Sequence, residues 1–141
     1  MTHSTESRPQ TGSTVAVLRS LQVTAALSVL VLLSQFITAG DLVTRGGGGE
    51  AVAGIHATGA IVLHVVTGLA TIAAALVWRL RGAPLWPAVL AAVVFVLTFV
   101  QAYFGGYSTL YVHVPGAMIL TVGSVWLLIW SFGRTARAGR L

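Results

Sequence analysis

Two histidines in this chain recur in the same short pattern of polar and small residues. In each copy a glutamine is followed five positions later by a glycine and, after a loop, by a histidine with a glycine three positions beyond it. The members in order are Gln35, Gly40, His56 and Gly59 in the first copy, and Gln101, Gly106, His113 and Gly116 in the second. A neutral imidazole carries a nitrogen lone pair and is the commonest metal and haem ligand. The repeated pattern therefore predicts a pair of histidine ligands.

Long apolar segments surround both copies. The 141 residues are 56% hydrophobic and only 8% charged, a composition typical of membrane proteins. About twenty apolar residues cross a bilayer, and four segments reach that length, at residues 15–39, 55–78, 85–104 and 111–132. The sequence predicts an all-α fold, an integral membrane four-helix bundle over 15–132. Residues 1–14 are expected to be a disordered cytoplasmic tail and residues 133–141 a basic cytoplasmic tail.

The connections between the segments differ in length. Residues 40–54 contain four consecutive glycines and predict a flexible loop. The sequence Gly82-Ala83-Pro84 predicts a tight turn, and residues 105–110 a short loop. Cysteine is absent, which excludes disulfides, iron–sulfur clusters and thioether-linked haem.

The basic residues give an orientation. All eight are arginines, and seven of them lie in the two termini, at the start of the first span or at the middle connection. By the positive-inside rule the protein is expected in a bacterial plasma membrane, multi-pass, with both termini cytoplasmic. Because the arginines sit at the ends of apolar segments rather than on one face, they do not predict nucleic-acid binding. The expected surroundings are membrane lipid.

The duplication has a geometric consequence for the histidines. Two tandem helical hairpins with the same direction form a parallel internal repeat, related by a pseudo-two-fold axis along the membrane normal. His56 and His113 then face each other near the extracytoplasmic surface. Gly59 and Gly116 share the helical face of their histidines, where the missing side chain would let a flat group such as a porphyrin approach. The alternative is an interfacial histidine bonded to water, with the glycine serving helix packing.

Three further polar residues are candidates for the same site. Gln35 and Gln101 are each expected level with the histidine of their own hairpin. Either amide could bond a haem propionate, a quinone carbonyl or the neighbouring helix backbone. His64 lies eight residues after His56 and has Thr121 as its counterpart in the second hairpin. It is either a ligand or proton-path group, or a buried histidine donating one interhelical hydrogen bond.

With histidines opening its second and fourth spans, the chain resembles one four-helix half of the haem A synthase family. The resemblance implies a haem held between His56 and His113 as axial ligands. The family's carboxylate close before the first histidine is missing, since Ala53 stands three positions before His56 and the nearest acid is Glu50. Its cysteine pair is missing too, so the resemblance supports a haem-binding scaffold and not haem A synthesis. The chain also looks like small uncharacterised four-span bacterial membrane proteins, a likeness that gives a fold and no activity.

The leading hypothesis is a b-type cytochrome with non-covalent haem b, an electron-transfer subunit rather than a stand-alone enzyme. Two axial histidines leave no open position for oxygen, and the expected partner is a quinol or another membrane redox subunit. The alternative is an accessory or assembly subunit of a larger membrane complex, without a cofactor. Either role is compatible with a homo- or hetero-oligomer. A proton-coupled carrier ranks last, because the spans contain no acidic residue and no broken helix.

Overall fold

Four long helices form the protein in a computed structural model that describes residues 12–46, 49–133 and 135–136. They are α1 (Gly12–Thr44), α2 (Glu50–Arg81), α3 (Trp86–Tyr103) and α4 (Leu110–Ser131), and a 3₁₀ turn at Tyr107–Thr109 precedes α4. Each helix is long and apolar enough to cross a membrane. Residues 1–11 of the predicted N-terminal tail and most of the predicted C-terminal tail lie outside the described residues.

The helices pack as a closed ring of neighbours. Close contacts join α1 to α2, α2 to α3, α3 to α4 and α4 back to α1. The first hairpin (α1 and α2) and the second hairpin (α3 and α4) therefore place α2 and α4 across a diagonal. One end of the bundle carries the α1–α2 and α3–α4 connections and is called the loop end. The other carries both chain termini and is called the termini end.

Small side chains let the helices approach closely. The buried cluster near the termini end contains Leu21 and Val77 together with a series of alanines on α2 and α3. A second cluster, formed by Leu32, Leu63, Val94 and Leu120, fills the half nearer the loop end. Alanine contacts of this kind are typical of helices packed inside a bilayer, where dispersion contacts rather than water exclusion hold helices together.

The outward surface of the bundle is apolar along its length. Ile37 is 75% exposed, Ile129 67% and Ile61 66%, and many other large aliphatic side chains are exposed on all four helices. Monomeric soluble proteins rarely expose continuous apolar surface on this scale. The surface is compatible with a multi-pass membrane protein.

The first connection is shorter than the sequence predicted. Residues 40–54 were expected to be a loop, but α1 continues to Thr44 and α2 starts at Glu50. A single glycine costs a helix only about 1 kcal/mol, so Gly40 does not end α1. The Arg45 guanidinium then bonds the Asp41 carboxylate at 2.7 Å, one turn apart, which supports the last turn.

The predicted turn at residues 82–84 is confirmed. Gly82 has a φ of 64°, in the left-handed region that ends a helix, and Pro84 cannot continue one. Nearby, the Gln22 amide donates to the Ser131 carbonyl at 3.0 Å. This hydrogen bond joins α1 to the last turn of α4 at the termini end.

Candidate functional site

His56 is half-buried in the second turn of α2 and is held by α1. Its Nδ1 lies 2.8 Å from the Thr38 hydroxyl. That hydroxyl is also 3.1 Å from the Gln35 carbonyl oxygen, one turn back on α1. When Thr38 donates to Gln35 and accepts from the ring, His56 carries its proton on Nδ1 and its lone pair on Nε2.

His113 is half-buried in the first turn of α4 and is held by α3. Its Nδ1 lies 3.0 Å from the Gln101 carbonyl oxygen. A carbonyl only accepts, so Nδ1 carries the proton and Nε2 keeps the lone pair. Gly105 lies beside the ring, since a Cβ atom there would be 3.9 Å from His113 Cε1.

The two histidines are therefore anchored in equivalent ways. Each imidazole bonds through Nδ1 to the neighbouring helix: His113 to the Gln101 carbonyl, and His56 to the Thr38 hydroxyl, which lies 3.1 Å from both the Ser34 and the Gln35 carbonyl oxygens. Among the described residues no protein group hydrogen-bonds to either Nε2. A ligating histidine typically donates its second ring nitrogen to a carbonyl or similar acceptor in this way.

His56 lies on α2 and His113 on α4, the two helices that face each other across the diagonal of the bundle. The predicted pairing of these two side chains stays a prediction. Within residues 12–46, 49–133 and 135–136, no group of three histidine, cysteine, aspartate or glutamate side chains is placed to hold a metal ion. The site offers two imidazole nitrogens and no third side-chain ligand of those types.

The glutamines occupy the space that the glycines were expected to leave for a porphyrin. A Cβ atom at Gly59 would overlap the Gln35 amide nitrogen, and one at Gly116 would overlap that of Gln101. The interpretation of these glycines as openings for a cofactor is wrong on this point, because each one makes room for the glutamine of its own hairpin. Each glutamine amide thus contacts the glycine that follows the histidine of its hairpin by one helical turn.

Neither glutamine side chain has a hydrogen-bond partner among the described residues. Gln101 Oε1 is buried without one, and the Gln35 side chain makes no hydrogen bond within the same set. The amides were predicted to bond a haem propionate, a quinone carbonyl or the neighbouring helix backbone. No backbone group among the described residues bonds either amide. Gln35 lies at the surface of the first hairpin, where a group that is not part of the chain can reach its amide, whereas Gln101 Oε1 is buried.

His64 lies apart from the histidine pair. Its Nδ1 bonds the Ala60 carbonyl of its own helix, and its ring packs edge-on against Phe99 of α3, with centroids 4.2 Å apart. The expected interhelical hydrogen bond is replaced by this ring contact. Nothing in the geometry brings His64 to the site of His56 and His113.

The first hairpin also carries a groove on its outer surface. Its volume is about 530 Å³, and it runs between α1 and α2 toward the loop end. The lining residues are Val31, Ser34, Gln35, Ala51, Gly54, Ile55, Thr58, Gly59 and Val62.

Sequence reasoning named Gln35 and Gly59 but missed the groove and the anchoring role of Thr38. The spacing of Thr38 three residues after Gln35 was the available signal, and Phe104 replaces it in the second copy.

Comparisons with models of protein families, with curated proteins and with solved structures find no match to this chain.

Proposed function

We propose that this protein is a b-type cytochrome of the bacterial plasma membrane that transfers electrons near the extracytoplasmic side. It spans the membrane four times with both termini in the cytoplasm. The membrane assignment is supported by four helices of 18 to 33 residues and by an apolar outward surface. The orientation is supported by the arginines, seven of which belong to the termini end by sequence position.

A tandem repeat of two hairpins underlies the proposed site. In its support, each hairpin packs its repeated glutamine against its repeated glycine. Each also bonds its histidine Nδ1 to the first helix of the hairpin, through Thr38 in the first hairpin and the Gln101 carbonyl in the second. Two copies of one hairpin around an axis between α2 and α4 bring equivalent histidines toward each other.

The observation that carries the proposal is the shared orientation of the two imidazoles. Both hold Nδ1 in a hydrogen bond within the protein and leave Nε2 without a protein partner among the described residues. Neutral histidines with a free Nε2 are suited to axial ligation of haem iron. His56 and His113 would be these ligands, and haem b would be bound non-covalently.

The number of ligands favours a porphyrin over a bare metal ion. A structural metal ion takes about four protein ligands and a catalytic one about three, but the described residues contain no group of three histidine, cysteine, aspartate or glutamate side chains that could hold one. A haem brings four equatorial nitrogens of its own and needs two from the protein. When bound between two histidines, haem supplies one-electron chemistry without an open position for oxygen.

An absorption spectrum tests the proposal. Protein purified from haem-replete cells is expected to show a reduced-minus-oxidised haem spectrum that His56→Ala and His113→Ala both abolish. His64→Leu is the matched control, because His64 is a histidine of α2 that lies away from the pair, and it should keep the spectrum. A wild-type preparation without haem absorbance, from cells supplied with haem, would exclude the function.

One observation favours a second candidate, an accessory subunit of a larger membrane complex without a cofactor. The glutamine–glycine contacts give the repeat a packing role that needs no ligand. In that case the histidine variants would assemble like the wild type and no chromophore would co-purify. The spectrum of the wild type therefore separates the two candidates.

A further inference from the structure

Two polar side chains in the lining of the groove of the first hairpin, Gln35 and Thr58, have no hydrogen-bond partner among the described residues. We infer that the groove binds a neutral, lipid-soluble molecule of the quinone class, with the ring's oxygen atoms meeting the Gln35 amide. The inference rests on the proposed electron-transfer function, for which it names the partner molecule and its site.

The position of the groove requires a ligand that arrives from the bilayer. It lies on the outer surface of α1 and α2, where Ile55 is 60% exposed. Along α2 it extends from Ala51 to Val62, about 16 Å at 1.5 Å per residue. This length accommodates one aromatic head group and the first part of an apolar tail.

The depth of Gln35 makes an unpaired amide costly. The repeat makes Gln35 equivalent to Gln101, which lies two residues before the end of α3 at Tyr103. At this level the amide lies near the edge of the proposed membrane-spanning part, and a polar group that loses water without gaining a hydrogen bond is destabilised. Gln35 has no hydrogen-bond partner among the described residues, so a bound polar head group would satisfy it.

The chemistry of the lining selects a neutral head group. None of the nine lining side chains is charged, so no opposite charge is present for a phosphate or a carboxylate. A primary amide both donates and accepts. Gln35 can therefore donate to a quinone carbonyl and accept from the hydroxyl of the corresponding quinol.

The groove adjoins the proposed haem ligand. Gly59, which lies in van der Waals reach of the Gln35 amide, is one helical turn from His56. A ring bonded to Gln35 would thus lie beside the helix turn that carries one axial histidine. This adjacency distinguishes the first hairpin, because Gln101 Oε1 in the second hairpin is buried.

A calorimetric titration tests the site with 1,4-benzoquinone bearing a decyl chain, added to the purified full-length protein in lipid nanodiscs. Gln35→Leu removes the amide and is expected to raise the Kd about tenfold, as for the loss of one hydrogen bond. Gly54→Phe fills the groove and should abolish binding. A Cβ atom at Gly54 meets no atom within 4 Å, so the fold tolerates the larger side chain.

Gly40→Phe is the matched control. Gly40 also has nothing within 4 Å of a Cβ atom, lies in the loop-end half of α1 and does not line the groove, so this variant should bind the quinone like the wild type. Decylbenzene, which has the same tail and no oxygen, should bind at least about tenfold more weakly. The inference is overturned if the wild type binds no quinone, if decylbenzene binds equally well, or if neither groove variant weakens binding.

The calorimetric readout needs no haem, so the two proposals fail separately. Quinone binding by a protein without haem absorbance would exclude the cytochrome and retain the groove site. A normal haem spectrum with no quinone binding would exclude the groove site alone.

Discussion

At the scale of single residues, hydrogen bonds at Nδ1 determine what the two histidines can do. Each ring is fixed to the neighbouring helix by that nitrogen, at 2.8 Å for His56 and 3.0 Å for His113. Nε2 is then the ring nitrogen that no protein group bonds among the described residues. A histidine bonded only to water would keep both tautomers.

The close contact between glutamine and glycine predicts strong coupling between the two positions. Gly116→Ala would force the Gln101 amide out of its place, and we expect a loss of about 1–3 kcal/mol in the free energy of unfolding. Adding Gln101→Ala should recover most of that loss, because the amide that overlaps the new methyl group is removed. A double-mutant cycle measured by denaturant unfolding in detergent gives the coupling free energy.

The first hairpin provides an internal control for this cycle. Gly59→Ala with Gln35→Ala should give coupling of the same sign, since a Cβ atom at Gly59 overlaps Gln35 in the same manner. If the changes in the free energy of unfolding were additive in both hairpins, the overlap with glutamine would not be the reason that glycine is required at these positions.

At the scale of the helices, glycine has opposite effects on stability in different surroundings. Gly40 lies on the exposed side of α1, where a Cβ atom would meet nothing within 4 Å. Gly123 lies buried in α4, where a Cβ atom would be 2.8 Å from Val94 Cγ2 of α3. Helix propensity governs the first position and interhelical packing the second.

Alanine substitutions should therefore change stability in opposite directions. Gly40→Ala is expected to raise the free energy of unfolding by up to about 1 kcal/mol, the propensity difference between the two residues. Gly123→Ala is expected to lower it by about 1–3 kcal/mol, because α3 and α4 must separate slightly. Thermal unfolding of both variants in the same detergent is the measurement. Equal shifts in Tm would contradict the α3–α4 contact.

At the scale of the whole molecule, one arginine joins elements that are distant in sequence. Arg81, only 7% exposed at the end of α2, donates from Nη1 to the Thr14 carbonyl at 2.9 Å and from Nε to the Ala136 carbonyl at 3.3 Å. The end of α2 is thus connected to both chain termini. Hydrogen bonds from a charged group contribute about 1.5–3 kcal/mol each.

Replacing this side chain should loosen one end of the bundle only. For Arg81→Met we expect faster hydrogen exchange at the start of α1 and at the end of α4, with unchanged exchange around His113. The reason is that the Arg81 hydrogen bonds lie at the termini end, while His56 and His113 lie at the loop end. Hydrogen–deuterium exchange read by mass spectrometry gives both values in one experiment.

Arg79→Met serves as the control for lost charge. The Arg79 guanidinium lies 5.5 Å from the Trp78 ring centroid on an exposed position, and such contacts contribute about 0.5–1 kcal/mol. If both variants raised hydrogen exchange at the termini equally, the Arg81 hydrogen bonds would have no special role in joining the termini to α2.

The sequence by itself determined the all-helical architecture, because long uncharged apolar segments can satisfy their backbone hydrogen bonds in a bilayer only as helices. It also predicted which residues would be equivalent in a repeat of two hairpins, since the spacing of glutamine, glycine and histidine recurs along the chain. The spacing alone predicted that His56 corresponds to His113 and that His64 has no counterpart histidine. The predicted ends of the spans were less accurate, since one glycine such as Gly40 weakens a helix without ending it.

Only the tertiary structure decided what the repeated small and polar residues contact. The sequence placed Gly59 and Gly116 beside a cofactor, and the folded chain places a glutamine against each of them. The anchoring of His56 by Thr38 and the groove between α1 and α2 were likewise absent from the pattern. These features depend on the rotation and spacing of packed helices, which side-chain volumes at each contact determine and which no periodicity along a single helix records.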